Sequence, residues 1–272
     1  MGLTRLKIHK LSITSLFLKV FSMIRATVRF ILFVLAMLFF TLRLLIFRLF
    51  TKNKLEKGIR HRQQFCQVLM PILGIQIIKE GKAAYNNVLF MANHRSYIDP
   101  FIFVTHFDTL GLAKAEVRNW PIIGFGLTIT GTYFVKREEQ TSRQAARKGI
   151  AHTIKNGYSM LLFPEGTTSD SPTTLPFKPR TFQMAAENKI NIIPIAIEFK
   201  DPKDAWIGDD TFIPHFFQTF AKRKVICEVH YGPPMWEENE IVLKTKVQSW
   251  INQELTTIRK KWGLPILEEN IS

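Results

Sequence analysis

A mostly parallel α/β sheet flanked by helices, preceded by a basic, membrane-embedded helical arm, is the architecture this sequence predicts. Three observations predict it. Short apolar runs at Val88 to Ala92, Tyr158 to Phe163 and Ile190 to Phe199 have the length and make-up of buried strands. Stretches with helical spacing separate them, and strands alternating with helices imply a parallel sheet covered on both faces. The charge, finally, is lopsided. Of 37 Lys/Arg and 22 Asp/Glu, residues 1–62 hold 13 basic groups and one acid, Glu56, a net of +12. The other 210 residues carry 24 basic and 21 acidic groups, so +3 of the total +15. The chain thus divides into an arm with its linker (1–62) and one catalytic-sized domain (63–272).

The arm begins with residues 3–25, where apolar and basic positions mix as in a helix lying among lipid headgroups. Phe30 to Leu42 is apolar but for Thr41, and it is shorter than the roughly 20 residues a spanning helix needs. A cleaved signal peptide is disfavoured because the apolar run has no small-residue cleavage site after it. A single span requires Arg43 and Arg48 to snorkel. A helix or helical hairpin sunk into one leaflet needs neither, and is preferred. The basic flanks suit anionic lipid and place the larger domain on the cytoplasmic side. Such an apolar run is foreign to nucleic-acid-binding arms, and the balanced charge of the remainder gives nucleic acid no footing.

Thr51 to Arg62 reads as a polar linker and Gln63 to Leu73 as a helix, with Phe65, Val68, Leu69 and Ile72 on one face. Gly74 to Ile78 and Val88 to Ala92 read as the first two strands, and Pro100 to Val104 as a helix start. Leu112 to Gly124 is a short basic segment. Gly131 to Val135 is a strand that delivers Lys136 and Arg137. Glu138 to Lys155 is a helix, Tyr158 to Phe163 a strand, Lys178 to Lys189 a helix and Ile190 to Phe199 a strand. Lys224 to Tyr231 is a late strand at an edge. Glu237 to Trp262 is a closing helix with its stripe at Ile241, Val247, Ile251, Leu255 and Ile258. Cys66 and Cys227 give neither a disulfide framework nor metal-ligand spacing, which points to a reducing compartment.

Chemistry concentrates where strands end. Asn93-His94-x4-Asp99 lies between a strand and a helix, at the edge where open α/β sheets place their sites. An imidazole can take a proton from an alcohol, and a carboxylate on its other nitrogen fixes the tautomer. Three further blocks stand downstream: Gly131-x2-Phe134-x2-Arg137, Phe163-Pro-Glu165-Gly166-Thr167, and Ile192-Ile-Pro194-Ile-Ala196. Neither cysteine is near them, and Ser96 lacks a Gly-x-Ser-x-Gly elbow, which disfavours an acyl-enzyme.

In this order, over Leu89 to Ile197, the four blocks resemble the glycerophospholipid acyltransferase family, including its bacterial 1-acylglycerol-3-phosphate acyltransferases. The resemblance implies transfer of a fatty acyl group from acyl carrier protein or coenzyme A to a hydroxyl of a lysolipid. His94 would act as general base, oriented by Asp99, with no metal and no cofactor beyond the thioester. It further implies that Arg137 contacts the acceptor's phosphate, with Lys136 beside it and Lys114 reaching the same anion. Glu165, Gly166 and Thr167 would form an acceptor-binding turn, with Lys178 compensating nearby and Pro194 shaping the acyl pocket. Within that turn Glu165 is expected to accept from hydroxyls or pair with a cation. Phosphatidic-acid-forming members often carry Arg after Glu-Gly-Thr, and here that position is Thr168. The segment Glu165 to Asp170 also resembles lyso-ornithine lipid acyltransferases, so either acceptor fits. A non-catalytic lipid-binding protein is the contrasting class, and the intact His94/Asp99 pair opposes it. The inner membrane is the expected location.

Overall fold

The computed structural model describes residues 13–50, 54–82, 85–107, 109–120, 122–136 and 138–267. Seven strands form one sheet in the order β1-β7-β6-β2-β5-β3-β4. They are β1 (Ile75–Glu80), β2 (Leu89–Ala92), β3 (Thr109–Lys114), β4 (Tyr133–Val135), β5 (Ser159–Leu162), β6 (Ile192–Phe199) and β7 (Val225–Tyr231). All neighbours run parallel except β6 and β7. The carboxyl ends of β2 to β6 therefore meet at one edge, and the sequence blocks gather there. β2, β5 and β6 are buried along their whole length, as apolar runs covered on both faces must be.

The helices are α1 (Ile13–Leu49), α2 (Lys54–Leu73), α3 (Asp99–Val104), α4 (Ile123–Ile129), α5 (Gln140–Lys155), α6 (Pro179–Glu187), α7 (Phe212–Phe220) and α8 (Glu240–Trp262). α8 covers the β6 face. Asn239 caps its start, accepting from the Ile241 and Val242 amides at 2.9 and 3.1 Å, and Gly263 at φ 64° closes it. Leu243 rather than Ile241 begins its buried stripe, and Ile241 faces solvent.

Several sequence expectations change. Residues 54–62 are not a linker but the first half of α2. Gly58 breaks the expected pattern for a packing reason, since a Cβ there would meet the Ile129 carbonyl and Thr130 Cα at 3.2 and 3.3 Å. β7 is no edge strand, because β1 pairs outside it. The basic segment from Leu112 is the end of β3 followed by a short 3-10 turn over Ala115–Asn119. α7 has no counterpart in the sequence reading, although Phe212, Phe216 and Phe220 recur every four residues.

The arm is one unbroken helix of 37 residues, about 55 Å long at 1.5 Å per residue. Its segment Ser15–Phe47 is long and apolar enough to cross a membrane by length and composition. Yet Ala26, Phe33, Phe40 and Leu44 are buried along one stripe, with Phe33 inside the main core. Arg25 donates to the Ala221 carbonyl at 2.7 Å, and Arg29 to those of Phe220 and Lys222 at 2.9 and 2.7 Å. These guanidinium groups satisfy the carbonyls at the end of α7, where cations are favoured. His61 of α2 pairs with the Phe40 carbonyl at 2.7 Å. The opposite face of α1 exposes large apolar side chains such as Phe17, Leu35, Phe39 and Leu42, a surface suited to lipid.

Candidate active site

β2 ends in a loop whose backbone amides are claimed one after another. Asn93, fully buried, exchanges two hydrogen bonds with Ile197 on β6, donating to its carbonyl at 2.9 Å and accepting from its amide at 2.8 Å. The His94 amide donates to Glu165 Oε1 at 2.8 Å. The amides of Arg95 and Ser96 both donate to Asp99 Oδ2, at 2.6 and 2.9 Å. That same oxygen lies 2.8 Å from His94 Nδ1. Asp99 is wholly buried at the start of α3, and the imidazole stacks on the Phe163 ring at 4.0 Å between centroids. Carboxylate and phenyl together fix the ring, and Nδ1 is committed to Asp99. Nε2 is the nitrogen left for chemistry in the cavity that His94 lines.

Glu165 differs from expectation. Among the described residues its carboxylate pairs with no cation; it accepts from two backbone amides, His94 and Leu175, each at 2.8 Å. It therefore ties the loop after β5 to the loop after β2. Burial raises its pKa, opposed by those amides and by the nearby Arg95 and His94 charges. The Ser169 amide closes the junction by donating to the His94 carbonyl at 2.9 Å.

Behind the loop is a group that sequence reading missed. Arg95, 1% exposed, donates to the Ser169 carbonyl and to Glu198 Oε2, both at 2.8 Å. Arg259 of α8 reaches the same Glu198 oxygen at 2.6 Å. Arg95 and Glu198 are 103 positions apart, so no local signal joins them.

In front of the loop opens a cavity of about 840 Å³. Phe33 and Phe40 of α1, Phe65 of α2, Phe101 of α3, Leu127 of α4 and Phe216 of α7 give it an apolar side. Gly166, Thr167, Thr168 and Lys178 line it together with His94, and so does Lys114, 3.6 Å from Glu116. Lys136 is exposed, pairs with Glu139 at 2.8 Å, and is not a lining residue. Arg137 lies outside the described residues. Pro194 lines no part of the cavity; it sits opposite Met91 in the sheet and against Gly232. Four lining arginines belong to none of the sequence blocks, Arg62 on α2, Arg143 and Arg147 on α5 and Arg180 on α6.

Comparison with known proteins agrees with this geometry. Residues 74–198 match the family model described as Acyltransferase. The chain is 28% identical over 248 residues to the lyso-ornithine lipid O-acyltransferase of Brucella abortus (strain 2308), covering 84% of this chain and 92% of that protein. It is 28% identical over 190 residues to the 1-acyl-sn-glycerol-3-phosphate acyltransferase of Neisseria gonorrhoeae, covering 66% and 73%. The crystal structure of the 1-acyl-sn-glycerophosphate (LPA) acyltransferase PlsC from Thermotoga maritima superimposes with a TM-score of 0.64 at 20% identity, over 91% of this chain and 97% of that one, and shares the fold. Residues 74–198, which hold both His94 and Asp99, therefore carry a domain of the acyltransferase family.

Proposed function

We propose that the protein moves a fatty acyl group from acyl carrier protein or acyl-CoA to the free hydroxyl of 1-acylglycerol-3-phosphate, giving phosphatidic acid. His94 Nε2 takes the hydroxyl proton as the oxygen attacks the thioester carbonyl. Collapse of the tetrahedral adduct breaks the C–S bond, and the imidazolium returns its proton to the departing thiolate. Asp99 holds the ring and stabilises its charged form. The attack is direct. Cys66 and Cys227 are buried in apolar surroundings that push both thiols up, Cys66 to about 12. Ser96 Oγ has no hydrogen-bond partner among the described residues, so no base among them activates it.

The observation that carries the acceptor is the lining itself. Arg62, Lys114, Arg143, Arg147, Lys178 and Arg180 face the cavity, and among the described residues no Asp or Glu does. A phosphate suits that wall. The free ammonium of an ornithine headgroup finds no carboxylate on it. The second reading, a lyso-ornithine or other lysolipid O-acyltransferase, is favoured by Thr168 in place of an arginine ligand. The stripe that seats α1 on the domain supports a helix lying in one leaflet, its basic residues toward anionic lipid, on the cytoplasmic face of the inner membrane.

Purified protein in detergent, given a labelled thioester donor with lysophosphatidic acid, lyso-ornithine lipid or lysophosphatidylcholine, tests this reading. Lysophosphatidic acid should be preferred, and His94→Ala should lose roughly a hundredfold or more in turnover while keeping its fold. Preference for lyso-ornithine lipid transfers the assignment to the second reading.

A further inference from the structure

The cavity that His94 lines also carries side chains that proton transfer does not use. α5 turns Arg143 and Arg147, four residues apart, to the lining, and the start of α6 adds Lys178 and Arg180. No ion pair with a carboxylate engages Arg147, Lys178 or Arg180 among the described residues. Arg147 is half-buried, and its pKa is lowered first by burial and then by the charges of Arg180 and Arg143. Cations gathered in a partly desolvated place repel one another, and an anion set among them converts that repulsion into attraction.

The neighbouring loop is shaped to keep one of these cations close. Gly166 has φ +76°, and a Cβ at that position would collide with the Lys178 ammonium. The glycine thus lets Lys178 lie over the turn that carries Thr167, while the Lys178 amide donates to the Pro164 carbonyl at 3.1 Å. Two planar guanidinium forks and an ammonium offer the donor geometry that phosphate oxygens accept in pairs.

We propose that Arg147 and Arg180, together with Lys178, form a phosphate-monoester subsite for the acceptor headgroup, supplying the anchoring that Thr168 does not. This rests on the reading above that the acceptor bears a phosphate. The subsite makes the arginines of α5 and α6 determinants of acceptor choice, although they lie outside the four sequence blocks.

The test uses the full-length protein in detergent, with glycerol 3-phosphate as probe and the double variant Arg147→Gln, Arg180→Gln. Glycerol 3-phosphate should raise the melting temperature of the unaltered protein, as any ligand selective for the folded state does, and leave that of the double variant unmoved. The KM for lysophosphatidic acid should rise roughly 10- to 100-fold, the loss expected for charge-assisted hydrogen bonds, with the donor KM unchanged. Without the probe the double variant should melt no lower than the unaltered protein, whereas a purely structural role would lower it. Equal protection of both proteins, or of neither, overturns the proposal. A rise confined to the donor KM also overturns it, by giving the arginines to the thioester's phosphates. Should the double variant not fold, Arg147→Lys, Arg180→Lys keeps the charge without the planar fork, and a smaller rise in acceptor KM alone is the supporting result. If the enzyme proves to acylate a phosphate-free lipid while glycerol 3-phosphate still protects only the unaltered protein, the subsite stands and the acceptor reading alone falls.

Discussion

The loop that carries His94 and the basic wall of the cavity in front of it hold their polar groups in different ways. Three successive amides, from His94 to Ser96, end on the carboxylates of Glu165 and Asp99 at 2.6 to 2.9 Å, and Arg95 is locked to Glu198 beneath them. In the basic wall, by contrast, Lys178 and Arg180 are exposed and Lys114 has one loose ion pair. The backbone amides of the first region are satisfied by the protein itself, whereas Lys178 and Arg180 of the second stay open to a ligand. The general base proposed for His94 needs a fixed tautomer and direction before the substrate arrives, and the bonded amides of the loop suit that need. The headgroup role proposed for the wall needs accessible donors more than rigid ones. Changes in the loop should therefore act on turnover and stability, and changes in the wall on acceptor affinity.

The largest effect expected is that of Asp99→Asn. An amide keeps one acceptor oxygen for the Arg95 and Ser96 amides but offers an N–H or a neutral oxygen to His94 Nδ1. The imidazole loses both its enforced tautomer and the charge that stabilises its protonated form. kcat should fall by roughly 10³- to 10⁴-fold, with acceptor KM nearly unchanged, in steady-state assays. A loss expressed mainly in KM would mean that this carboxylate serves binding, and the contrast between the two regions would fail.

Next is Arg95→Met, which tests whether the loop is held from behind. The change removes the donor to the Ser169 carbonyl and leaves Glu198, 3% exposed, with Arg259 and the Phe199 amide as its remaining partners. Breaking a buried pair from one side costs about 3–5 kcal/mol, readable by denaturant titration with circular dichroism. The retained Arg259 contact places the expectation toward the lower end. A change within about 0.5 kcal/mol would show that Glu198 is satisfied without Arg95.

These predictions also mark what could be read from residue order. Strands β2, β5 and β6 were legible because burial on both faces demands unbroken apolar runs. The His94/Asp99 pair was legible because five positions suffice to turn from a strand end into a helix. β3 was not, since Thr109-Leu-Gly-Leu-Ala-Lys114 contains a glycine and no β-branched residue after its first. Nor was the start of α2, whose Lys54, Glu56, Lys57 and Arg60 are exposed and so resemble a linker. Glu165 was recognisable as a site residue, but its partners are amides, which carry no sequence signature. The partnership of Arg95 with Glu198 and the convergence of Arg147 with Arg180 and Lys178 depend on crossovers of the sheet, and only the fold brings them together.

Lys114 gives the smallest effect and the sharpest contrast with Arg95. Its ammonium lies 3.6 Å from Glu116, with side chains 45% and 57% exposed, at the end of β3. An ion pair so open to solvent contributes about 0–1 kcal/mol, because water screens the attraction and two long side chains lose freedom in making it. Lys114→Ala should leave the denaturation midpoint almost where it was. Since Lys114 lines the cavity along with the other cations, its loss should raise the acceptor KM a few-fold, in step with one weak charge contact among several. The effect should shrink as salt is added, because an exposed charge acts through screened electrostatics. The same substitution with a large drop in stability and no change in KM would make Lys114 part of the frame, and would move the boundary between the two regions to the far side of β3.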